Sequence, residues 1–213
     1  MKVDMDKIYK ILRKHVVKYN LPVVDMIEMK AQDPFKILVT TILSARTNDK
    51  ATRQASERLF SKVKKINDLE KLSAKEIEKL IYPVGFYRNK ARHLKRLPKA
   101  VKFGRIPDTI EELMKLPGVG RKTANLVVAI AFKKPAVCVD THVHRIMNRI
   151  GYVKTKTPFE TEMSLRRKLP KKYWLTINSI LVTHGQNTCR PISPKCSKCP
   201  IEKYCNKVGV NWG

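Results

Sequence analysis

The chain has 213 residues, 43% of them hydrophobic, which is enough for one substantial core or two modest ones and excludes a disordered tail. Its 45 Lys and Arg stand against 18 Asp and Glu, a formal charge of +27, so the expected partner is a polyanion, with nucleic acid the first candidate. The longest apolar run, 126–132, is far too short to span a bilayer, and the N-terminus mixes acids with bases; a soluble, intracellular protein with no membrane partner is expected.

Apolar residues recur at helical spacing almost throughout and no strand ladder is evident, so the fold class is all-α. Asp33 ahead of Pro34 predicts an N-cap and a helix running to about Arg46, and its stretch from Phe35 to Leu43 is apolar on nearly all faces, as a central helix would be. Further on, Asp108 with Glu111 three residues later reads as a capping box. The segment Leu116-Pro117-Gly118-Val119-Gly120-Arg121-Lys122-Thr123 then joins two helices through a turn with two glycines. Glycine lets a backbone approach another surface closely, and free amides at a helix start face anions. Gly118, Val119, Gly120 and Arg121 are therefore candidate contacts to a DNA phosphate, with a plain tight connection between helices as the competing reading.

Lys122 falls in the first turn of the next helix, expected from Gly120 to Phe132 and apolar over most of its length from Ala124. The positive end of that helix and neighbouring Arg121 disfavour an ammonium, which is one route to a nucleophilic amine; the alternative is an ordinary phosphate-gripping lysine. Lys133, Lys134 and Pro135 end the helix and mark a domain border, after which the chain is extended through Val137 to Val139. Cys138 within that apolar run reads as a buried free thiol. Asp140 opens Asp140-Thr141-His142-Val143-His144 where a new helix should start, a position typical of an N-cap. The preceding helix carries the chain roughly 18 Å, and the extended return can bring Asp140 back toward the end that bears Lys122. A carboxylate facing an amine could accept its proton and stabilise a cationic sugar. His142 and His144 are two apart and diverge on a helix, so a contact to DNA, assigned to His142, is favoured over metal binding by the pair.

Thr157, Pro158 and Glu160 suggest a second capping box, and Trp174, Ile177 and Leu181 describe an amphipathic helix from Lys171 to about His184. It delivers the chain into Cys189, Cys196, Cys199 and Cys205, separated by six, two and five residues. Only Cys196 and Cys199 form the short knuckle common in structural Zn sites, so the spacing favours a 4Fe–4S cluster, with Zn and then two disulfides left open.

The LPGVGRKTAN segment, Val139-Asp140-Thr141-His142, the Leu43-Ser44-Ala45 stretch ending in Asp49, and the cysteine spacing together resemble the endonuclease III family of DNA glycosylases, over roughly Asp33 to Cys205. The resemblance implies a helix-hairpin-helix glycosylase with AP lyase activity on oxidised pyrimidines, acting as a monomer on duplex DNA that contains damaged bases or abasic sites. It implies two helical lobes with a DNA-binding cleft: residues 24–135 with the hairpin at about 108–127, and residues 1–23 plus 136–213 with a 4Fe–4S cluster. By that likeness Lys122 is the nucleophile, Asp140 its assistant, and Cys189, Cys196, Cys199 and Cys205 the cluster ligands. Arg46 and Phe86 match the side chains that fill the hole left by the flipped nucleotide, where family members carry Gln and Leu; on its own, Phe86 reads equally as a core aromatic. A thymine or uracil mismatch glycosylase on the same scaffold, or a non-catalytic helix-hairpin-helix DNA-binding protein, are the rival readings, and Lys122 argues against the first.

Overall fold

The structure is a computed structural model that describes residues 3–19 and 33–210. Among the described residues all regular structure is helical. The chain packs into two compact units, Val23–Lys134 and Met1–Pro22 with Pro135–Gly213. The boundary expected near residue 24 lies outside the described residues.

In the unit Val23–Lys134 the centre is a helix, which we call α2, Pro34–Ser44. Asp33 caps it by accepting a hydrogen bond from the Phe35 amide at 2.9 Å, and Pro34 supplies the first-turn geometry. Phe35 and every residue from Ile37 to Leu43 are buried, so the helix has no polar face to offer solvent and must be surrounded. It is enclosed by α3 (Asp49–Lys62) and by α7 (Arg121–Phe132), whose Ala124, Val127, Val128 and Ile130 are buried. Each fully buried leucine or isoleucine here contributes about 1.5–3 kcal/mol of hydrophobic stabilisation. α4 (Ala74–Ile81) begins with a complete Ser73–Glu76 capping box and packs on α5 (Tyr87–Ala100). The short α6 (Ile110–Leu113) precedes α7.

The cap of α6 differs from the sequence expectation. Thr109, not Asp108, is the N-cap, and its hydroxyl accepts from the Glu112 amide. Asp108 instead pairs with Lys134, 2.6 Å away, at the other end of the hairpin's second helix.

The other unit has α1 (Met5–Val16) from the N-terminus and α8 (Thr141–Ile150), α9 (Pro158–Lys168) and α10 (Ile177–Asn187) from the C-terminal third. α10 packs on both α1 and α8, and Ile8, Leu12, Val143, Met147, Ile177 and Leu181 meet in one core. Two local readings need correction. Thr157 caps α9, yet Glu160 accepts from the Lys156 amide instead of returning to Thr157, so the box is half formed. The single helix expected from Lys171 is a short 3₁₀ turn, Lys171–Tyr173, then a break and α10; Thr176 at the break bonds the Tyr9 hydroxyl at 2.7 Å, which ties the bend to α1. Cys138 is buried in an extended stretch and forms no disulfide, and its carbonyl accepts from Asn178 at 3.2 Å.

Candidate functional site

The turn between α6 and α7 places its glycines for different reasons. Gly118 has φ +79°, a conformation that costs a side-chain-bearing residue about 1–2 kcal/mol, and a Cβ there would lie 3.1 Å from the His93 side chain. Gly120 has an ordinary φ of −93°, and a Cβ on it would meet nothing within 4 Å. The fold thus requires glycine at 118, while at 120 the small residue serves an open face. Gly120 is the N-cap of α7 and brings no side-chain cap to the first-turn amides. Such amides form an anion-binding end. Arg121 and the exposed Lys122 stand in that same first turn, and Val119 is buried beneath it.

A second pair of turns lies in the same unit. α2 ends at Ser44, two residues short of the expected Arg46, because the chain swings out at Ala45 and Arg46 takes a left-handed φ of 53°. Phe86, the residue before α5, is left-handed as well, with φ 57°. Two non-glycine residues in this region cost about 1–2 kcal/mol each, the kind of strain that gathers at functional sites. Phe86 is 58% exposed, which overturns the core-aromatic reading, and the Arg46 guanidinium stacks 5.5 Å from its ring centre. A Cβ on Gly85 would come within 2.3 Å of the Arg46 carbonyl oxygen, so the two turns touch backbone to backbone. Lys90, which the sequence reading passed over, is buried beside them and donates hydrogen bonds to Leu43 O, Ala45 O and Thr47 Oγ1 at 2.8, 2.6 and 3.1 Å. Its signal was available: Lys90, Leu94 and Leu97 share the buried stripe of α5, and a lysine on an apolar stripe needs a reason.

In the other unit Asp140 is buried and caps α8. Its Oδ1 accepts from the His142 and Val143 amides, both at 2.9 Å, which fixes the carboxylate's direction. His142 is half-buried, its Nδ1 3.1 Å from the Arg145 guanidinium, and a Cβ on Gly185 would meet that same ring nitrogen. His144 turns away to Thr161 at 2.7 Å, so the two histidines do diverge.

Cys189, Cys196, Cys199 and Cys205 line one pocket, together with Arg149 and His184. Among the described residues no three His, Cys, Asp or Glu side chains are arranged to hold a single metal ion. The donor set is all sulfur, and burial together with the neighbouring thiols pushes Cys199 up to about 12 and raises Cys196 and Cys205. Four thiolates could share such a pocket only around a strongly cationic centre, and the set fits an iron–sulfur cluster by its chemistry. Arg149 donates to Cys189 Sγ at 3.5 Å and to Pro191 O at 2.7 Å, and Arg145 donates to Cys189 O at 2.9 Å. These two arginines of α8 hold the start of the loop, a role that only the fold reveals. Arg190, Lys195 and Lys198 on that loop are exposed.

Residues 39–171 match the model of the family described as HhH-GPD superfamily base excision DNA repair protein. The chain is 46% identical over 179 residues to a protein of Thermotoga maritima named Endonuclease III, a match that covers 83% of this chain and 84% of that one. Among solved structures it is similar to one described as a non-covalent Endonuclease III–DNA complex, with a TM-score of 0.83, 34% identity and 97% of each chain covered. It is also similar to a trapped Endonuclease III–DNA covalent intermediate, with a TM-score of 0.80, 33% identity and the same coverage. Agreement of this extent, in sequence and in fold along most of both chains, makes the protein a member of the endonuclease III family and a base excision DNA repair enzyme of the HhH-GPD superfamily.

Proposed function

We propose that the protein is a DNA glycosylase with AP lyase activity that removes oxidised pyrimidines from duplex DNA and works as a monomer. The observation that carries this reading is Lys122, an exposed amine in the first turn of α7, directly after a glycine turn whose outer glycine opens onto free space. The turn amides and Arg121 grip a phosphate, which fixes the register of the duplex without reading its bases. With a damaged nucleotide swung out of the helix, the neutral amine of Lys122 attacks C1′ as the glycosidic bond breaks, and the base departs with the bonding electrons and takes up a proton. Opening of the sugar leaves a Schiff base between C1′ and Lys122. Loss of a C2′ proton then expels the 3′ phosphate, and water releases the amine. The Asp140 carboxylate stabilises the cationic sugar while it is charged and then takes the proton that the amine loses on bonding to C1′; a positioned base of this kind contributes about 10²–10⁴-fold. His142, near the start of α8, is proposed as a further contact to DNA.

The four cysteines are proposed to hold a 4Fe–4S cluster, which when bound supplies iron–thiolate bonds that gather the C-terminal loop. The exposed Arg190, Lys195 and Lys198 then face phosphates from a fixed loop. Arg46 and Phe86 are proposed to fill the space vacated by the flipped nucleotide, Phe86 as the apolar wedge and Arg46 toward the opposite base.

Incubation with duplex DNA containing thymine glycol, followed by borohydride, should give a covalent adduct that Lys122→Ala abolishes. Normal trapping by that variant removes Lys122 from the mechanism, and absence of any adduct removes the lyase step. Asp140→Asn should keep DNA affinity and lose about 100-fold or more in base release.

A further inference from the structure

We propose that Lys90 is a positioning residue for base release: it fastens the turns that carry Arg46 and Phe86 into one preformed wedge. The proposal rests on the reading of those two residues as the side chains that enter the helix.

The geometry ties one residue to both turns. Lys90 donates its own backbone N–H to Phe86 O at 3.0 Å, which closes the first turn of α5 directly behind the exposed ring. Its ammonium reaches the other turn, where Leu43 O, Ala45 O and Thr47 Oγ1 bracket Arg46 on both sides. An ammonium has three donors and no acceptor capacity, and here three oxygens are supplied by three different residues. The Leu43 and Ala45 carbonyls lie at the end of α2, where the helix has no amides left to give them. Thr47 Oγ1 also accepts from the Gly85 amide at 3.0 Å, so the hydroxyl links the two turns directly.

A buried charge is costly unless hydrogen-bonded, and a helix stripe otherwise filled by Leu94 and Leu97 would accept an apolar residue here. What an apolar residue would not do is hold Ala45 and Thr47 either side of a left-handed Arg46. A wedge that is already formed avoids ordering two loops during nucleotide flipping, and small misplacements at such a step are expensive in rate.

The test compares Lys90→Met, Thr47→Val, the double variant Arg46→Ala/Phe86→Ala, and that double variant with Lys90→Met added. Single-turnover base release is measured on a thymine-glycol duplex, and lyase cleavage on an abasic site in a single strand, where no hole in a duplex has to be filled. Lys90→Met should slow duplex release about tenfold or more at saturating protein, with duplex affinity changed by less than about threefold and single-strand cleavage nearly unchanged. Added to the double variant it should cost less than about twofold, because residues that act as a unit are not additive. Thr47→Val removes the hydroxyl that accepts from both Lys90 and the Gly85 amide, without touching the charge, and should shift duplex release the same way by about threefold.

Wild-type duplex release in Lys90→Met, or a full independent loss when it is added to the double variant, overturns the proposal. Should Lys90→Met not fold, as a thermal melt would reveal, wild-type release in Thr47→Val overturns it instead. A slow double variant beside a normal Lys90→Met sinks only the role of Lys90. A double variant with the wild-type rate sinks the inserted-pair reading itself.

Discussion

At the cysteine pocket four like donors from one short stretch surround a single space, whereas around Arg46 and Phe86 two turns from separate parts of the chain are fastened by one buried ammonium. The first arrangement is proposed to be completed by a bound cluster, and burial pushes the Cys196, Cys199 and Cys205 thiols away from the ionised form that ligation requires. The second is complete within the protein, because donors and acceptors match and the strained backbone is held by neighbouring hydrogen bonds. Removing a bound group should therefore damage one region and leave the other intact.

The largest effect is expected at the pocket. With the proposed 4Fe–4S cluster in place, Cys199→Ser should lower the iron content and destabilise the unit by about 4 kcal/mol or more, as loss of a metal site can do. That corresponds to roughly 8–16 °C in the melting temperature of a chain this size. Unchanged melting would show that the C-terminal loop stands without its ligand and would erase the contrast. Gly85→Ala comes next. Its Cβ would be driven against the Arg46 carbonyl at 2.3 Å, so one of the turns must move, at about 1–3 kcal/mol in urea unfolding and with slower base release.

The hairpin separates fold from function within a single turn. Gly118→Ala should cost about 1–2 kcal/mol of stability for its positive φ, while Gly120→Ala should change stability by less than about 0.5 kcal/mol. DNA titrations at fixed salt should nevertheless find Gly120→Ala the weaker binder per unit of stability lost. Equal unfolding costs at both positions would refute the assignment of an open face to Gly120.

A pH dependence is expected as well. Burial holds the Lys90 ammonium down to about 8 from an ordinary 10.5. The folded state then binds fewer protons than the unfolded chain between those values, and stability should rise with pH across that window and stay level below it. Wild-type melting curves minus those of Lys90→Met should show the rise from about pH 8 to 10.5. A flat difference would mean that the three oxygens restore the ammonium fully against burial.

Residues that act through neighbours in the chain were legible in the sequence. The Asp33 cap, the central apolar helices and the cysteine cluster all declare themselves within a few positions. What escaped was fixed by distant partners. Asp108 looks like a cap until Lys134, 26 positions later, claims it and Thr109 takes over. The helix from Lys171 looks continuous until Thr176 bonds Tyr9 of α1. Lys90 was one basic residue among 45, and its acceptors lie 43 to 47 positions earlier. Phe86 was ambiguous because periodicity cannot distinguish a helix's first buried aromatic from a residue held out before its start; the left-handed φ decides it.

Which nitrogen meets the sugar decides the mechanism. After borohydride reduction of the complex with thymine-glycol DNA, proteolysis and mass spectrometry will locate the nucleotide remnant. It should lie on the peptide that contains Lys122. A remnant on the N-terminal amine or on any other lysine contradicts that mechanism.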